Sequence, residues 1–395
     1  MKVDLRGILG ARATSLALGV LFATTGMLLS LADPAWAAPT PVSFVPAEDY
    51  AAGESPRSIT SADFNGDTFP DLATGNFASD DVSVLLNDGS GDFGPPVNYA
   101  VGNSPYDVTS ADFNGDTKPD LAVANKDSDN VSVLLNDGSG GFEQSVNYNA
   151  GNGPFAIVSA DFDGDNDVDL GVADFNSSNV SALLNDGTGV FGQPATSKVG
   201  KLPWDIVSAD FNGDGDADLA ITNGLSSNVS VLLNKGDGTF RKARNYEVGL
   251  QPADLTSGDF NLDGKLDLAI AIRSVRPSDP LKVSVLLGKG GGAFASPVRY
   301  PVRGQGNIPS GITSADFNGD GKLDVAIANL NFGNISVLLG KDKGVFGRAE
   351  PFGVDGKPSR ITNEDFNDDD KPDLAVARFA PDEVSVLINT TSSSP

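Results

Sequence analysis

Within the repeated units of this chain apolar residues come in alternating or continuous runs of four or five, and no unit contains an apolar 3.6-residue period long enough for a helix. Val108-Thr109-Ser110-Ala111 reads as a short strand, and Leu121-Ala122-Val123-Ala124 as a buried one. Val131-Ser132-Val133-Leu134-Leu135 follows as a third strand and ends at the turn Asn136-Asp137-Gly138. A fourth runs from near Phe142 to Tyr148. The group of four recurs along the chain, marked by a nine-residue polar pattern that begins at Asp63, Asp112, Asp161, Asp210, Asp259, Asp316 and Asp365. The intervals are 49, 49, 49, 49, 57 and 49 residues. Four strands per unit and seven units predict an all-β fold, a seven-bladed β-propeller of four-stranded blades.

The chain ends bear on closure. The seventh unit stops after Val384-Ser385-Val386-Leu387-Ile388 without a fourth strand, whereas residues 41–52, from Pro41-Val42-Ser43-Phe44 to Tyr50 and Ala51, resemble the missing one. The N-terminal strand is expected to complete the last blade, removing an exposed sheet edge. With no cysteine in the chain, this closure has to work without disulfides.

Within each polar pattern, oxygen-bearing side chains stand at the first, third, fifth and ninth positions. They are Asp63, Asn65, Asp67 and Asp71; Asp112, Asn114, Asp116 and Asp120; Asp161, Asp163, Asp165 and Asp169; Asp210, Asn212, Asp214 and Asp218. The last three sets are Asp259, Asn261, Asp263 and Asp267; Asp316, Asn318, Asp320 and Asp324; and Asp365, Asn367, Asp369 and Asp373. Alternate residues of a tight loop can point several oxygens at one centre, the coordination a hard divalent cation needs. The expected cofactor is Ca2+, up to seven ions, with the backbone carbonyl of the seventh position, as at Lys118 or Lys322, as a further ligand. Glycines such as Gly115 and Gly321 permit the sharp turn. No bidentate Glu follows at the twelfth position, so these are not EF-hands.

The chain has 395 residues, no histidine and a formal charge of -26. Residues 1–37 carry Lys2, Arg6 and Arg12, then an apolar run from about Ser15 to Ala32, then Ala35-Trp36-Ala37, which reads as a signal peptide with its cleavage site. An uncleaved membrane anchor is the rival reading, but Thr24, Thr25 and Gly26 interrupt the run. Cleavage leaves a secreted chain of charge -27, with residues 38–389 as the propeller and 390–395 as a short frayed tail. Such a charge disfavours nucleic acid and anionic membrane surfaces. Most of it has a structural account: of 28 ligand positions 22 are Asp, and seven calcium ions would bring the charge near -13. Without His or Cys, Ser/His/Asp and Cys/His hydrolases are excluded, and zinc catalysis is disfavoured.

Asp112-Phe113-Asn114-Gly115-Asp116 with Asp120, the strand Val131 to Leu135, and the pairs Phe93-Gly94 and Phe191-Gly192 resemble FG-GAP repeats, also called VCBS-like repeats. That family builds the propeller head of integrin α subunits and many secreted bacterial proteins. The Gly-Ala-Pro element is degenerate here, as Gly102-Asn103-Ser104-Pro105 or Gly200-Lys201-Leu202-Pro203. The resemblance implies calcium in the loop between the first and second strands. It implies no single activity, since the fold serves adhesion receptors, lectins and polysaccharide lyases.

Function is sought where the repeats disagree. Six residues before each loop stand Arg57, Tyr106, Phe155, Trp204, Ala253, Ser310 and Ser359, placed by blade geometry at the axis on the face opposite the calcium loops. Five extra residues around Arg273 to Pro280 and three in Val302 to Ile308 fall on that face and explain the 57-residue interval. One reading makes the aromatics a plug and the inserted loop solvated decoration. The other makes a ligand site: Tyr106, Phe155 and Trp204 face a sugar ring or peptide, and Arg57, Arg273, Arg276 and Arg303 attract an anionic group. The expected function is a monomeric, calcium-binding adhesion module for an extracellular carbohydrate or protein. The alternative is a polysaccharide lyase using Tyr106 or a lysine with an arginine. Ser61, Ser110, Ser159, Ser208, Ser257 and Ser314 recur beside the loops as small residues near a crowded axis, and the Asn130-Val131-Ser132 type of sequon recurs only because its strand does.

Overall fold

Residues Pro39–Pro395 form one compact unit. A computed structural model describes residues 40–273, 280–305 and 308–392, with backbone alone at 280–281 and 303–305. The signal-peptide expectation for residues 1–37, and Arg276, lie outside the described residues.

Seven antiparallel four-stranded sheets stand side by side. In blade two the strands are Pro105–Ala111, Asp120–Asn125, Asn130–Leu134 and Val146–Asn149, from the axis outward. Phe142 does not begin the outer strand as expected; it makes a single bridge to Asn136 at the base of a hairpin. Each inner strand starts at a proline and shifts register there, as between Pro105 and Asp107. A residue without an N–H suits the end of a strand.

The second strand is buried along its whole length; Asp120 to Asn125 are all at 0 % exposure. Its near-continuous apolar run is the sequence counterpart of a strand covered on both faces. Outer strands are exposed at most positions, so solvent meets the propeller at its rim.

The core is divided among the gaps between blades. Phe64, Ala73, Val82 and Val84 of blade one pack with Val108, Leu121, Val123 and Leu134 of blade two. The phenylalanines of the Phe-Gly pairs cross such gaps: Phe93 meets Phe366 edge-on at 5.6 Å and Phe191 meets Phe113 at 5.6 Å; Phe142, followed by Glu143, does the same with Phe64 at 5.5 Å. Burying a phenylalanine this way contributes roughly 1.5–3 kcal/mol.

Closure follows the expectation. Blade seven comprises Pro358–Glu364, Asp373–Phe379 and Asp382–Leu387, and its outer strand is Glu48–Ala51, paired antiparallel with Asp382–Leu387. Ile59, Leu72 and Leu85 of blade one then pack against Phe366, Ala375 and Val384 of blade seven. Thr390 and Thr391, expected in a frayed tail, are held in place: Thr390 donates its N–H to the Ser43 carbonyl, and Thr391 is 4 % exposed with Oγ1 accepting the Ser43 N–H. Among the described residues, no helix is long and apolar enough to cross a membrane.

Candidate metal loops and axial ligand site

The seven loops lie where inner strand passes to second strand, at one end of the propeller. In blade two, Asp112 Oδ1 accepts the N–H groups of Gly115 and Asp116, and Oδ2 that of Thr117. Asn114 Oδ1 takes the Asp116 N–H, and Asp116 Oδ1 that of Lys118. Gly115 at φ 74° and Thr117 at φ 70° let the backbone turn this tightly. Asp120, the ninth residue, clamps the loop to the blade: Oδ2 accepts the Phe113 N–H at 2.9 Å and Oδ1 the Asn136 N–H at 2.7 Å. Asp71, Asp169, Asp218, Asp267, Asp324 and Asp373 make the same pair of bonds, and all are fully buried.

These carboxylates are crowded. Burial, joined by the charges of neighbouring loop aspartates (first and fifth positions, or third and fifth for Asp169), raises Asp71, Asp120, Asp169, Asp218 and Asp267 to about 6. Asp324 and Asp373 are raised to about 7 for the same reasons. Lysines at the seventh position offset part of the charge, with Lys371 Nζ 3.0 Å from Asp369 and Lys265 Nζ 3.2 Å from Asp263.

The donors fit a hard cation. In blade three, oxygens of Asp161, Asp163 and Asp169 all lie within 4.8 Å of one another. In blade seven the Asn367 side-chain amide lies 3.1 Å from Asp365 Oδ1 and 3.2 Å from Asp369 Oδ1, and with its nitrogen turned inward it donates to both. Every side-chain donor is oxygen, the chemistry of calcium rather than zinc.

At the opposite end of the inner strands the divergent residues come together. Tyr106 stacks on Phe155 at 3.7 Å, Phe155 meets Trp204 edge-on at 5.6 Å, and the Arg273 guanidinium lies 4.6 Å above the Trp204 ring. Arg57 lies over Phe379 at 4.2 Å. Phe155 is 3 % exposed, so it props up Tyr106 and Trp204 instead of offering its own face. Arg57, Tyr106, Trp204, Arg273, Arg360 and Phe379 line a cleft of about 480 Å³ measured to its open rim. The side chain of Arg303 lies outside the described residues.

Several residues at the cleft were not singled out from the sequence. Phe379 lines it, while Phe77 packs against Arg57 and Tyr106 and Phe175 against Trp204. With Arg273 they stand at the end of the second strand or just after it, at the 49-residue interval or its 57-residue extension, a second variable ring that the same comparison of repeats would have shown. Beneath the cleft, Arg360 crosses the axis. Its Nη2 lies 2.8 Å from Asp205 Oδ1, and its Nη1 pairs with Asp254. Asp205 Oδ2 accepts the Leu255 N–H and Asp254 Oδ2 the Ile312 N–H, so the carboxylates that hold Arg360 also stitch neighbouring blades. Burial pushes Asp205 up, but the Arg360 charge together with hydrogen bonds to Asp254, Arg360 and the Leu255 N–H holds it below the usual carboxylate range, whereas burial pushes Asp254 well up and Asp107 up to about 6.

A family model described as an FG-GAP-like repeat matches residues 63–123, 112–172, 161–221, 210–270, 259–327 and 316–376. No curated protein matches the chain. Among solved structures, BBS1N in complex with ARL6DN is similar over 90 % of this chain and 99 % of its own, at 11 % identity and a TM-score of 0.61. A lectin of Agrocybe aegerita that recognises non-reducing terminal N-acetylglucosamine is similar over 76 % of this chain and 81 % of its own, at 21 % identity and a TM-score of 0.55. At such identities these likenesses concern the fold alone.

Proposed function

This chain belongs to the FG-GAP-like repeat family, and from that premise we propose that it is a secreted, calcium-binding β-propeller that acts as a binding module, taking an extracellular carbohydrate or protein ligand at the axial cleft. The observation that carries this reading is the cleft itself. Seven near-identical units diverge at the positions that line it, and the divergent residues are aromatic and guanidinium groups. Tyr106 and Trp204 supply flat faces for a sugar ring or a side chain, and Arg57 and Arg273 supply positive charge for a carboxylate. The loops at the far end hold blade geometry. Bound there, calcium supplies the positive charge that lets the buried carboxylates stay ionised together. The Agrocybe aegerita lectin of the same fold puts terminal sugars among the ligands to test.

The test is retention of the calcium-loaded protein on arrayed polysaccharides and matrix proteins, with soluble products assayed from the same wells. Retention that is lost with Trp204→Ala supports the binding module. Unsaturated sugar products would replace it with the lyase reading, in which Tyr106 beside Arg273 or Arg360 is the proton-transfer group. No retention on any surface would end the proposal.

A further inference from the structure

The axial cleft gathers positive charge on a chain whose formal charge is -26. Arg57, Arg273 and Arg360 line it, and among the described residues no Asp or Glu does. Arg360 is already paired with Asp205 and Asp254, and Arg378, 1 % exposed elsewhere in blade seven, lies against Asp49 and Glu383. Arg57 and Arg273 differ. Aromatic rings hold them, Phe379 and Phe77 at 4.2 and 5.4 Å from the Arg57 guanidinium and Trp204 beneath Arg273, and among the described residues neither meets a carboxylate. Arg57 Nε is buried and has no hydrogen-bond partner there, and burial lowers Arg273 from its ordinary value with only Tyr106 acting against it. A guanidinium taken out of water without an anion is unfavourable, so both groups are open to negative charge. The loop aspartates do not supply it: Tyr106 and Asp112 are six residues apart along an extended strand, about 20 Å, beyond the screening length of about 8 Å at physiological salt.

The rim beside Arg273 is apolar. Leu225 is 65 % exposed and Leu250 57 %. The turn that carries Leu225 packs on Trp204, since a Cβ at Gly224 would lie 2.7 Å from the indole. The Ser227 carbonyl of that turn accepts the Val248 N–H, two residues before Leu250, and the Gln251 carbonyl accepts the Arg273 N–H. Leu225, Trp204, Arg273 and Leu250 therefore form one patch where blades four and five meet. Exposed leucines standing singly are ordinary, but two that flank an unpaired arginine mark a contact surface. The patch also distinguishes between ligands. One face of Tyr106 is taken by Phe155 and one of Trp204 by Arg273, which leaves less flat ring for a sugar, and sugar hydroxyls find no hydrogen-bond partner on a leucine side chain. Aliphatic side chains match it.

We propose that the ligand of the axial cleft is an acidic peptide segment, whose Asp or Glu carboxylates pair with Arg57 and Arg273 and whose neighbouring apolar side chains lie on Leu225 and Leu250. This rests on the reading of the chain as a binding module and narrows its ligand from carbohydrate or protein to protein. A guanidinium offers a carboxylate two parallel N–H donors, and the rings beneath Arg57 and Arg273 set the plane of each fork before the ligand arrives. Less side-chain freedom is then lost on binding. Arg360 takes no part, because Asp205 and Asp254 already occupy it.

The experiment offers a phage-displayed library of random heptapeptides to the immobilised full chain, saturated with calcium. Peptides that enrich are made with a fluorescein label and titrated by fluorescence anisotropy. Expected is a shared sequence with Asp or Glu beside Leu, Ile, Val or Phe. Binding should weaken about tenfold or more when the acidic residue of the peptide becomes its amide, by the same factor with Arg57→Gln or Arg273→Gln, and about threefold with Leu225→Ser, in proteins of unchanged melting temperature. No shared sequence, a shared sequence without an acidic residue, or equal binding by any of the three variants would overturn the proposal. Retention on a glycan that depends on Trp204, with no peptide enriching, would overturn it and leave the binding module in place. Absence of both peptide and glycan binding would end both readings.

Discussion

Arg360 of blade seven and Asp205 of blade four meet across the propeller axis at 2.8 Å, although 155 residues separate them in sequence. The guanidinium side chain is 15 % exposed and its partner 6 %, so the pair is shielded from screening by salt. Gly311 makes room for it: a Cβ there would lie 3.0 Å from the Arg360 backbone.

Removing one side of this bridge leaves a buried charge unpaired. Arg360→Ala is therefore expected to destabilise the propeller by about 3–5 kcal/mol, measured by urea denaturation. Adding Asp205→Asn and Asp254→Asn should recover part of the loss, because the carboxylates left behind are then neutral. Equal stability of wild type and Arg360→Ala would show that the bridge does not hold the ring.

Chelation should act on all seven loops. With free calcium about tenfold above the dissociation constant, each occupied site adds about 1.4 kcal/mol, and seven independent sites about 10 kcal/mol. A whole domain is typically stable by about 5–15 kcal/mol. A large fall in melting temperature in EGTA is expected by scanning calorimetry, reversed by calcium but not by magnesium at equal concentration. An unchanged melting temperature would remove the metal assignment.

The pH dependence should change sign with metal. Asp71 and its equivalents are raised to between about 6 and 7 in the metal-free fold, so folding takes up protons. Their contribution is present below the ordinary carboxylate range and is lost as pH rises through 6 to 7. In EGTA the urea midpoint should fall between pH 5 and pH 8. In saturating calcium it should rise over the same range, because the ligands bind as carboxylates. Parallel curves in the two conditions would contradict the loops as metal sites.

At the axial cleft, Trp204→Ala and Arg57→Ala each remove one kind of contact. Both are expected to weaken retention of the array ligand about tenfold while the melting temperature stays within a few degrees. A further variant, Asp107→Asn beneath the cleft, should leave retention unchanged, since Asp107 faces the Arg360 cluster. Full retention by both cleft variants would exclude this end of the propeller as the ligand site.

Much of this architecture is written in local pattern. The 49-residue interval, the buried run Leu121 to Ala124 and the strandless end of the seventh unit determine seven blades and the N-terminal closure, because a strand's period and a hairpin's turn are encoded within a few residues. The nine-residue loops are legible for the same reason: their pattern lies within one tight turn, and in blade three the first, third and ninth residues bring oxygens within 4.8 Å of one another. The axial group Arg57, Tyr106, Phe155 and Trp204 was legible because the repeat supplies its own alignment.

What tertiary structure alone decided are the meetings of residues from different blades. Nothing near Arg360 in the sequence says that it reaches Asp205 and Asp254, since that pairing depends on the radius of the closed ring and on the space beside Gly311. Phe155 carries the same ring as its neighbours, yet stacking between Tyr106 at 3.7 Å and Phe175 at 4.9 Å turns it from a ligand face into a support. The loop beside Asn318 is covered from both ends of the chain, Phe44 pairing with Asn389 and meeting Phe317 edge-on at 6.1 Å, a meeting that exists only once the ring has closed.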